Sequence, residues 1–258
     1  MVFMNIIFQI NDLISKAQIF CLATVISSSD DRISPGTKTI IYKDGTMEGE
    51  IKDKETGQLI SDIALKAFTQ QEKKLVEIRA GLTVFFDFIS TSAQLLICGA
   101  GHIAIPLAQF AQQVGFAVTV IDDRPDFANQ PRFPGCEVIA DDFITTLRRI
   151  PIHSSSFVVI ITRGHEHDAE CLEEIIYHPT AYVGLIGSRR RVSFVLEMLE
   201  KAGIPKERLA DICTPIGIPI GAESPEEIAL SITAELVCVR RKGVNQAKAL
   251  SNAVRGMK

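Results

Sequence analysis

The apolar run Leu95-Leu96-Ile97-Cys98 passes straight into Gly99-Ala100-Gly101-His102-Ile103-Ala104, and an amphipathic stretch follows. Val118-Thr119-Val120-Ile121 then reads as a second strand, ending at Asp122, twenty-one residues past Gly101. A Gly-x-Gly pair alone is a weak signal. Strand, glycine turn, helix and a second strand tipped with acid form a far stronger set, which points to a parallel α/β sheet. Gly99 permits the tight turn, Gly101 lets backbone amides approach a pyrophosphate, and Ala104 keeps the helix close to the sheet. The open amides and positive end of that helix then make an anion site. Asp122 sits where a carboxylate accepts hydrogen bonds from both ribose hydroxyls and repels a 2′-phosphate. The expected ligand is therefore NAD, or a related adenine dinucleotide, rather than NADP. The plainer alternative is a parallel-sheet domain whose glycine turn has lost its ligand.

At 258 residues the chain holds one large domain or two modest ones, each able to bury a core. A formal charge of −4 with no basic stripe gives no reason to expect nucleic acid. Only the tail is locally basic (Arg240, Arg241, Lys242, Lys248, Arg255, Lys258), and it reads as a solvated helix face. Cys21, Cys98, Cys136, Cys171, Cys213 and Cys238 follow no Cys-x-x-Cys spacing, so neither a disulfide framework nor a structural zinc site is expected. No apolar run approaches the ~20 residues that cross a bilayer, and the apolar start has no basic region or cleavage signal. A cytoplasmic protein without membrane contact is expected.

Residues 1–91 read as a small α+β domain. It comprises a helix over Asn5–Phe20, strands at Leu22–Ile26 and Lys38–Tyr42, and a hairpin turn at Asp44-Gly45 leading to a short third strand. A helix near Leu59–Phe68 and a strand at Leu82–Ile89 complete it, and Ser90-Thr91-Ser92 reads as the linker. Residues 92–258 alternate strands and helices, which implies a Rossmann-like, doubly wound parallel sheet. The predicted strands after Ile121 are Val138–Ile139, Phe157–Ile161 and Tyr182–Ile186. Helices are predicted near Phe143–Ile150, Asp168–Ile176 and Arg189–Ala202. Ser224-Pro225-Glu226-Glu227 is a capping box that opens a further helix to about Arg241.

Ligands of such sheets bind beyond the carboxyl ends of the strands, and here those ends are loaded with polar residues. They carry Gly99–His102, Asp122-Asp123-Arg124, Asp141-Asp142, Thr162-Arg163-Gly164-His165-Glu166-His167-Asp168 and Gly187-Ser188-Arg189-Arg190-Arg191. His165 and His167, read as lying on a loop, are the candidates to move a proton near neutral pH or to hydrogen-bond a ligand. With Asp168 they invite a metal reading, but no further ligand falls at a diagnostic spacing, so no metal site is assigned. Asp168 reads as a helix cap. Ser188 caps a helix whose amides face the same crevice, and Arg189 or Arg190 adds bidentate contacts to an anion. Three consecutive arginines cannot share one helix face, so at least one is a surface charge. His102, at a helix start, is a ligand contact or a structural cap-region residue.

These landmarks together resemble the XdhC/CoxI family of xanthine dehydrogenase accessory proteins. The resemblance rests on Gly99–Ala104, Asp122-Asp123-Arg124-Pro125, Thr162–Asp168, Tyr182–Arg190, Pro215-Ile216-Gly217 and Gly221–Ala229, and it covers 94–240 almost continuously. It implies a Rossmann domain in a maturation factor for molybdenum hydroxylases, one that binds molybdenum cofactor and delivers its sulfurated form to the apoenzyme. Implied partners are that apoenzyme, a cysteine desulfurase and further copies of the chain. Leu22-Ala23-Thr24-Val25 and Ser34-Pro35-Gly36-Thr37-Lys38 resemble the family's amino-terminal domain. Gly45-Thr46-Met47-Glu48-Gly49-Glu50-Ile51 departs from it, lacking the double glycine and cysteine.

The leading expectation is a cofactor chaperone with little turnover of its own. The cofactor-binding set is Gly99, Gly101, His102, Ala104, Asp122, Asp123, Arg124, Thr162, Gly164, Gly187, Ser188 and Arg189. The alternatives are an NAD-dependent oxidoreductase using His165 or His167, and a metal-dependent hydrolase on the His-x-His-Asp segment. Whether the crevice takes NAD or the pterin stays open at this level.

Overall fold

The computed structural model describes residues 2–15, 18–68, 73–89 and 93–255. The chain divides into two compact units, Met1–Thr91 and Ser92–Lys258. The expected linker at Ser90–Ser92 lies outside the described residues.

The first unit runs α1 (Val2–Ser15), β1 (Phe20–Ser28), β2 (Lys38–Tyr42), β3 (Met47–Gly49), α2 (Lys54–Ala67), β4 (Lys74–Arg79) and β5 (Leu82–Ile89). Its strands form an antiparallel sheet in the order β3-β2-β1-β5-β4. The two-residue period of strands assigns the faces. Leu82, Val84, Phe86 and Phe88 alternate inward with Cys21, Ala23 and Val25, and pack on Ile60, Ala64 and Phe68 from the α2 side. Phe20 and Ile40 point the other way, onto Ile6 and Leu13 of α1. The opening helix starts earlier than the expected Asn5, and Phe20 belongs to β1. Asp53 caps α2, its side chain accepting from the Thr56 amide at 2.9 Å.

The second unit carries β6 (Ala93–Cys98), α3 (Ala104–Gln113), β7 (Phe116–Asp122), β8 (Glu137–Ala140), α4 (Phe143–Arg149), β9 (Ser156–Ile160), α5 (His165–Ile175), β10 (Tyr182–Leu185), α6 (Arg189–Lys201), α7 (Lys206–Leu209), α8 (Pro225–Lys242) and α9 (Val244–Arg255). All five strands are parallel, in the order β10-β9-β6-β7-β8. The chain moves outward from β6 to β8, then returns past β6 to β9, so the winding reverses between β6 and β9. That reversal opens a crevice beyond the carboxyl ends of those two strands.

Both sheet faces are covered, which is why the strands read as continuous apolar runs rather than alternating ones. Leu95, Ile97, Val120 and Val159 pack with Leu107 of α3 and Ile232 and Leu236 of α8. Leu96, Cys98, Val158 and Ile160 pack the opposite face with Leu147, Leu172, Ile175 and Val195 of α4, α5 and α6. The capping box at Ser224 forms as its sequence requires: Ser224 accepts from the Glu227 amide, and the Glu227 carboxylate accepts from the Ser224 amide. Two residues of the basic tail are tied to the protein, while Arg241 and Lys242 are exposed. Arg240 donates to the Val114 carbonyl at 2.8 Å and lies over the Phe116 ring, and Lys248 donates to the Ala210 and Asp211 carbonyls. No helix among the described residues is long and apolar enough to cross a membrane.

Candidate functional site

The glycine turn is held from below. The Gly99 amide donates to the Ile121 carbonyl at 2.7 Å, and the Ile161 amide donates to the Cys98 carbonyl at 2.9 Å, so the turn is stitched to strands on both sides. Gly99 has φ +115°, and a Cβ there would lie 2.5 Å from the Ile161 carbonyl oxygen. Gly101 differs: a Cβ there would meet nothing within 4 Å. The space that glycine leaves opens into a cleft of about 570 Å3, bounded by Gly101–Ala104, Thr162, Gly187, Ser188, Arg191 and Pro225 among others. No side chain caps α3, and the amides of Gly101, His102 and Ile103 have no acceptor among the described residues. The amino ends of α3, α6 and α8 therefore meet at one cleft, and aligned peptide dipoles favour negative charge at each.

Asp122 is spent on the protein. It is 1% exposed, and its carboxylate accepts four hydrogen bonds. Oδ2 takes the Ala100 amide (2.8 Å) and Arg124 Nη2 (2.9 Å), and Oδ1 takes the Arg124 amide (3.1 Å) and Nε (2.8 Å). Four bonds fill the lone pairs of a carboxylate, leaving none for ribose hydroxyls. Burial pushes its pKa up, but the Arg124 side chain and the Ala100 and Arg124 amides outweigh burial and hold it below the ordinary value. Arg124 is occupied as well, its guanidinium stacked 3.7 Å over Phe127. Asp123 is more open. It receives a bidentate pair from Arg163, Nη1 to Oδ1 and Nη2 to Oδ2, both 2.8 Å, and each oxygen retains a lone pair.

The His165–Asp168 segment is not a loop: α5 begins at His165, capped by the Gly164 backbone without a side-chain bond. Successive helix residues turn by about 100°, so side chains two apart point nearly opposite ways. His165 meets the edge of Phe194, while His167 contacts Phe143, Arg163 Nη2 (3.3 Å) and Glu170 (3.2 Å). Neither ring lines the cleft; His102 does. No group of three or more His, Cys, Asp or Glu side chains is placed to hold a metal among the described residues. Asp168 is also not the cap of α5. It is fully buried inside the first turn, where Thr162 Oγ1 lies 2.6 Å from Oδ1 and Arg191 Nε donates to Oδ2 at 2.8 Å. Burial raises its pKa, with the Thr162 and Arg191 hydrogen bonds pulling the other way.

Ser188 caps α6 as expected, accepting from the Arg191 amide at 3.3 Å. Arg191, which the sequence does not single out, turns into the cleft. Arg190 is exposed, and the Arg189 side chain lies outside what the structure describes. Of the remaining expected contacts, Gly187 and Ala104 border the cleft, and Thr162 borders it while bonding Asp168. Gly164 sits at the start of α5, where a Cβ would meet nothing within 4 Å.

The strand order, the glycine turn and the open amino end of α3 define a Rossmann domain. The chain belongs to the XdhC family: the XdhC Rossmann domain matches residues 95–236, more than half its length. It is 28% identical over 237 residues to the uncharacterised Escherichia coli protein YqeB, covering 86% of this chain and 43% of that protein. It is 31% identical over 164 residues to a Bacillus subtilis protein described as a probable component of xanthine dehydrogenase, covering 62% of this chain and 46% of that one. The chain thus spans less than half the length of these curated relatives. The crystal structure of a xanthine dehydrogenase from Bacillus halodurans superposes with a TM-score of 0.64 at 25% identity, covering 93% of this chain and 67% of that one.

Proposed function

We propose that this chain is an accessory factor for a molybdenum hydroxylase of the xanthine dehydrogenase type. Its crevice holds the phosphate portion of a dinucleotide or of molybdenum cofactor before transfer to the apoenzyme. One observation carries the reading: three helix amino ends meet at a cleft beside Gly101, where the α3 amides have no acceptor among the described residues. Oriented amides replace the water lost when a phosphate is buried, so the residues present fit such a group. Family membership and the xanthine dehydrogenase names of two relatives supply the partner class.

In this reading Asp122 and Arg124 brace the turn, and the ribose falls to Asp123, whose oxygens each keep a free lone pair. The preference for NAD over NADP then rests on the Asp123 charge. Molybdenum cofactor, when bound, supplies the metal centre at which the partner hydroxylase works.

Thiol handling of that cofactor does not fit this chain. Five of its six cysteines are buried. Burial, reinforced by Asp87 and Glu235 respectively, pushes Cys21 and Cys213 up to about 12, which keeps both as thiols. The β3 hairpin carries no cysteine: Glu48 accepts from Tyr42, and Glu50 accepts from the Lys38 amide. An oxidoreductase built on His165 or His167 finds less support, because neither ring borders the cleft.

Native mass spectrometry of freshly purified protein tests the proposal, since it weighs ligand and assembly together. A bound dinucleotide or pterin mass is expected, released to an added apo-hydroxylase that gains activity. Protein that stays ligand-free with NAD and with released cofactor, and leaves the apoenzyme inactive, removes the proposal.

A further inference from the structure

Three consecutive arginines open α6, and among those whose side chains the structure describes one leans back over the crevice. That one is Arg191. Its Nε and Nη2 both donate to Asp168 Oδ2, and Nη2 also donates to the Thr162 carbonyl at 3.1 Å. Asp168 is 0% exposed and is fixed in turn by Thr162 Oγ1. The guanidinium is thereby locked in plane and direction by a buried carboxylate and a strand-end carbonyl. Nη1 is left over. Its two N–H groups have no acceptor among the described residues, and the side chain, 29% exposed, lines the cleft with Gly101, His102 and Ser188. The Arg190 amide, in the first turn of α6, also lacks an acceptor among the described residues.

A donor pair fixed in advance has already lost its rotamer freedom, so an acceptor that docks on it forfeits little more. Asp168 cancels much of the Arg191 charge, so selection here depends on hydrogen-bond geometry more than on net attraction. That favours a multi-oxygen anion over a halide. We infer that Arg191 Nη1 and the first turn of α6 form an oxyanion subsite of the crevice, distinct from the glycine turn, that takes a phosphate group.

The phosphate comes from one of two sources. It is either part of the nucleotide-type ligand already placed on the α3 amino end, or a separate small phosphorylated molecule bound beside it. The inference uses the same crevice as the proposed function and rests on that reading only for what else the crevice holds.

The test is calorimetry on the full chain with inorganic phosphate and with ADP-ribose, each at fixed ionic strength. Arg191→Lys keeps a cation on Asp168 but removes the planar fork. The double variant Asp168→Asn/Arg191→Gln removes the pair without stranding a buried charge. In both, phosphate affinity should fall about ten- to hundred-fold, the loss of a charge-assisted contact. Gly101→Val, which obstructs the glycine-turn site, should leave the Arg191-dependent part of phosphate binding in place. A purely structural Arg191 would lower the melting temperature and leave phosphate affinity unchanged in the folded variants; that result overturns the inference. So does wild-type protein that binds no phosphate at millimolar concentration, or phosphate binding that disappears in Gly101→Val and survives in the Arg191 variants. If ADP-ribose weakens in parallel in Arg191→Lys, the phosphate is the nucleotide's own. If ADP-ribose is unaffected and phosphate binds the saturated protein, it belongs to a second molecule, and either result supports the subsite. Wild-type protein that ignores ADP-ribose yet binds phosphate through Arg191 counts against the dinucleotide and leaves the subsite standing.

Discussion

The Ala100 amide donates to Asp122 Oδ2 across 2.8 Å, tying the end of β7 to the turn that ends β6. An acid at this position has two possible uses, to hold the turn or to hold a ribose. With Arg124 supplying three further donors, this chain uses it for the turn.

Replacing Asp122 should therefore cost stability before it costs affinity. Asp122→Ala leaves the Ala100 amide without its acceptor, a loss of about 1–3 kcal/mol. The pH dependence has a definite sign. The folded pKa lies below the unfolded one, so the stabilisation is complete above the ordinary carboxylate value of about 3.9 and fades as pH falls through the folded value. Urea melts of wild type and Asp122→Ala should differ at pH 7 and converge in acid. A gap that is constant down to the acid transition would contradict this.

Asp123→Ala should do the reverse. Its carboxylate is at the surface end of the strand and bonds only side chains, so the melting temperature should barely move. Dinucleotide affinity should fall by one to two decades, the loss of a charge-assisted contact worth about 1.5–3 kcal/mol. Titration of both aspartate variants with NAD and NADP checks the assignment. A larger affinity loss in an Asp122 variant that is still folded would return the ribose to Asp122.

The two glycines of the turn should separate in the same way. Gly99→Ala places a Cβ 2.5 Å from the Ile161 carbonyl at a left-handed φ, so it should lower stability by at least about 1–3 kcal/mol. At Gly101 an added Cβ meets nothing within 4 Å, so Gly101→Val should fold normally, yet it fills the space a phosphate needs. Melting curves and NAD calorimetry on the pair should give opposite rankings. Equal NAD affinity in Gly101→Val and wild type would place the phosphate elsewhere.

Much of this was legible in the residues. The parallel sheet was readable because two-sided burial makes Leu95–Cys98 and Phe157–Ile160 uninterrupted apolar runs. β4 does not stand out in the sequence because Lys74–Arg79 is a sheet-edge strand in which charged residues interrupt the apolar ones. The inward arginine was not readable. Each residue of uncertainty at a helix start turns the facing by about 100°, and three identical residues give no phase. The saturation of Asp122 left a faint local sign, an aspartate two residues before an arginine, but the Ala100 bond spans 22 residues of sequence. His165 and His167 read as loop residues in the sequence because the N-cap of α5, Gly164, has no side chain to announce the helix start at His165.

The thiols should be mostly silent in the native protein. Burial is the main reason that Cys21 and Cys213 stand at about 12, and it raises Cys136 as well. Cys238 is half-buried on α8 and has the best access. A chromogenic disulfide reagent at pH 8 should thus label at most one site quickly, and Cys238→Ser should abolish that phase. Several fast thiols would reopen a role for cysteine in cofactor handling.

The histidines give the last separation, because the structure distributes them over different neighbours. His102 borders the cleft at the open start of α3, whereas His165 packs on Phe194 and His167 on Phe143. His102→Ala should weaken nucleotide binding, by an amount set by one hydrogen bond, about 0.5–1.5 kcal/mol, or roughly two- to tenfold. His165→Ala should leave that affinity unchanged and lower stability slightly through the lost ring contact, typically about 0.5–1.5 kcal/mol for aromatic pairs. His167→Ala should act on the Arg163–Asp123 pair, through the 3.3 Å contact between His167 Nε2 and Arg163. Its effect should therefore be confined to the ribose end of the ligand: a loss seen with NAD and ADP-ribose and absent with inorganic phosphate. Zinc added to any of the three variants or to wild type should bind without defined stoichiometry, since the two α5 rings diverge. Stoichiometric zinc that is lost in both His165→Ala and His167→Ala would show that the first turn of α5 unwinds to bring the rings together, and the metal-dependent reading would then displace the chaperone.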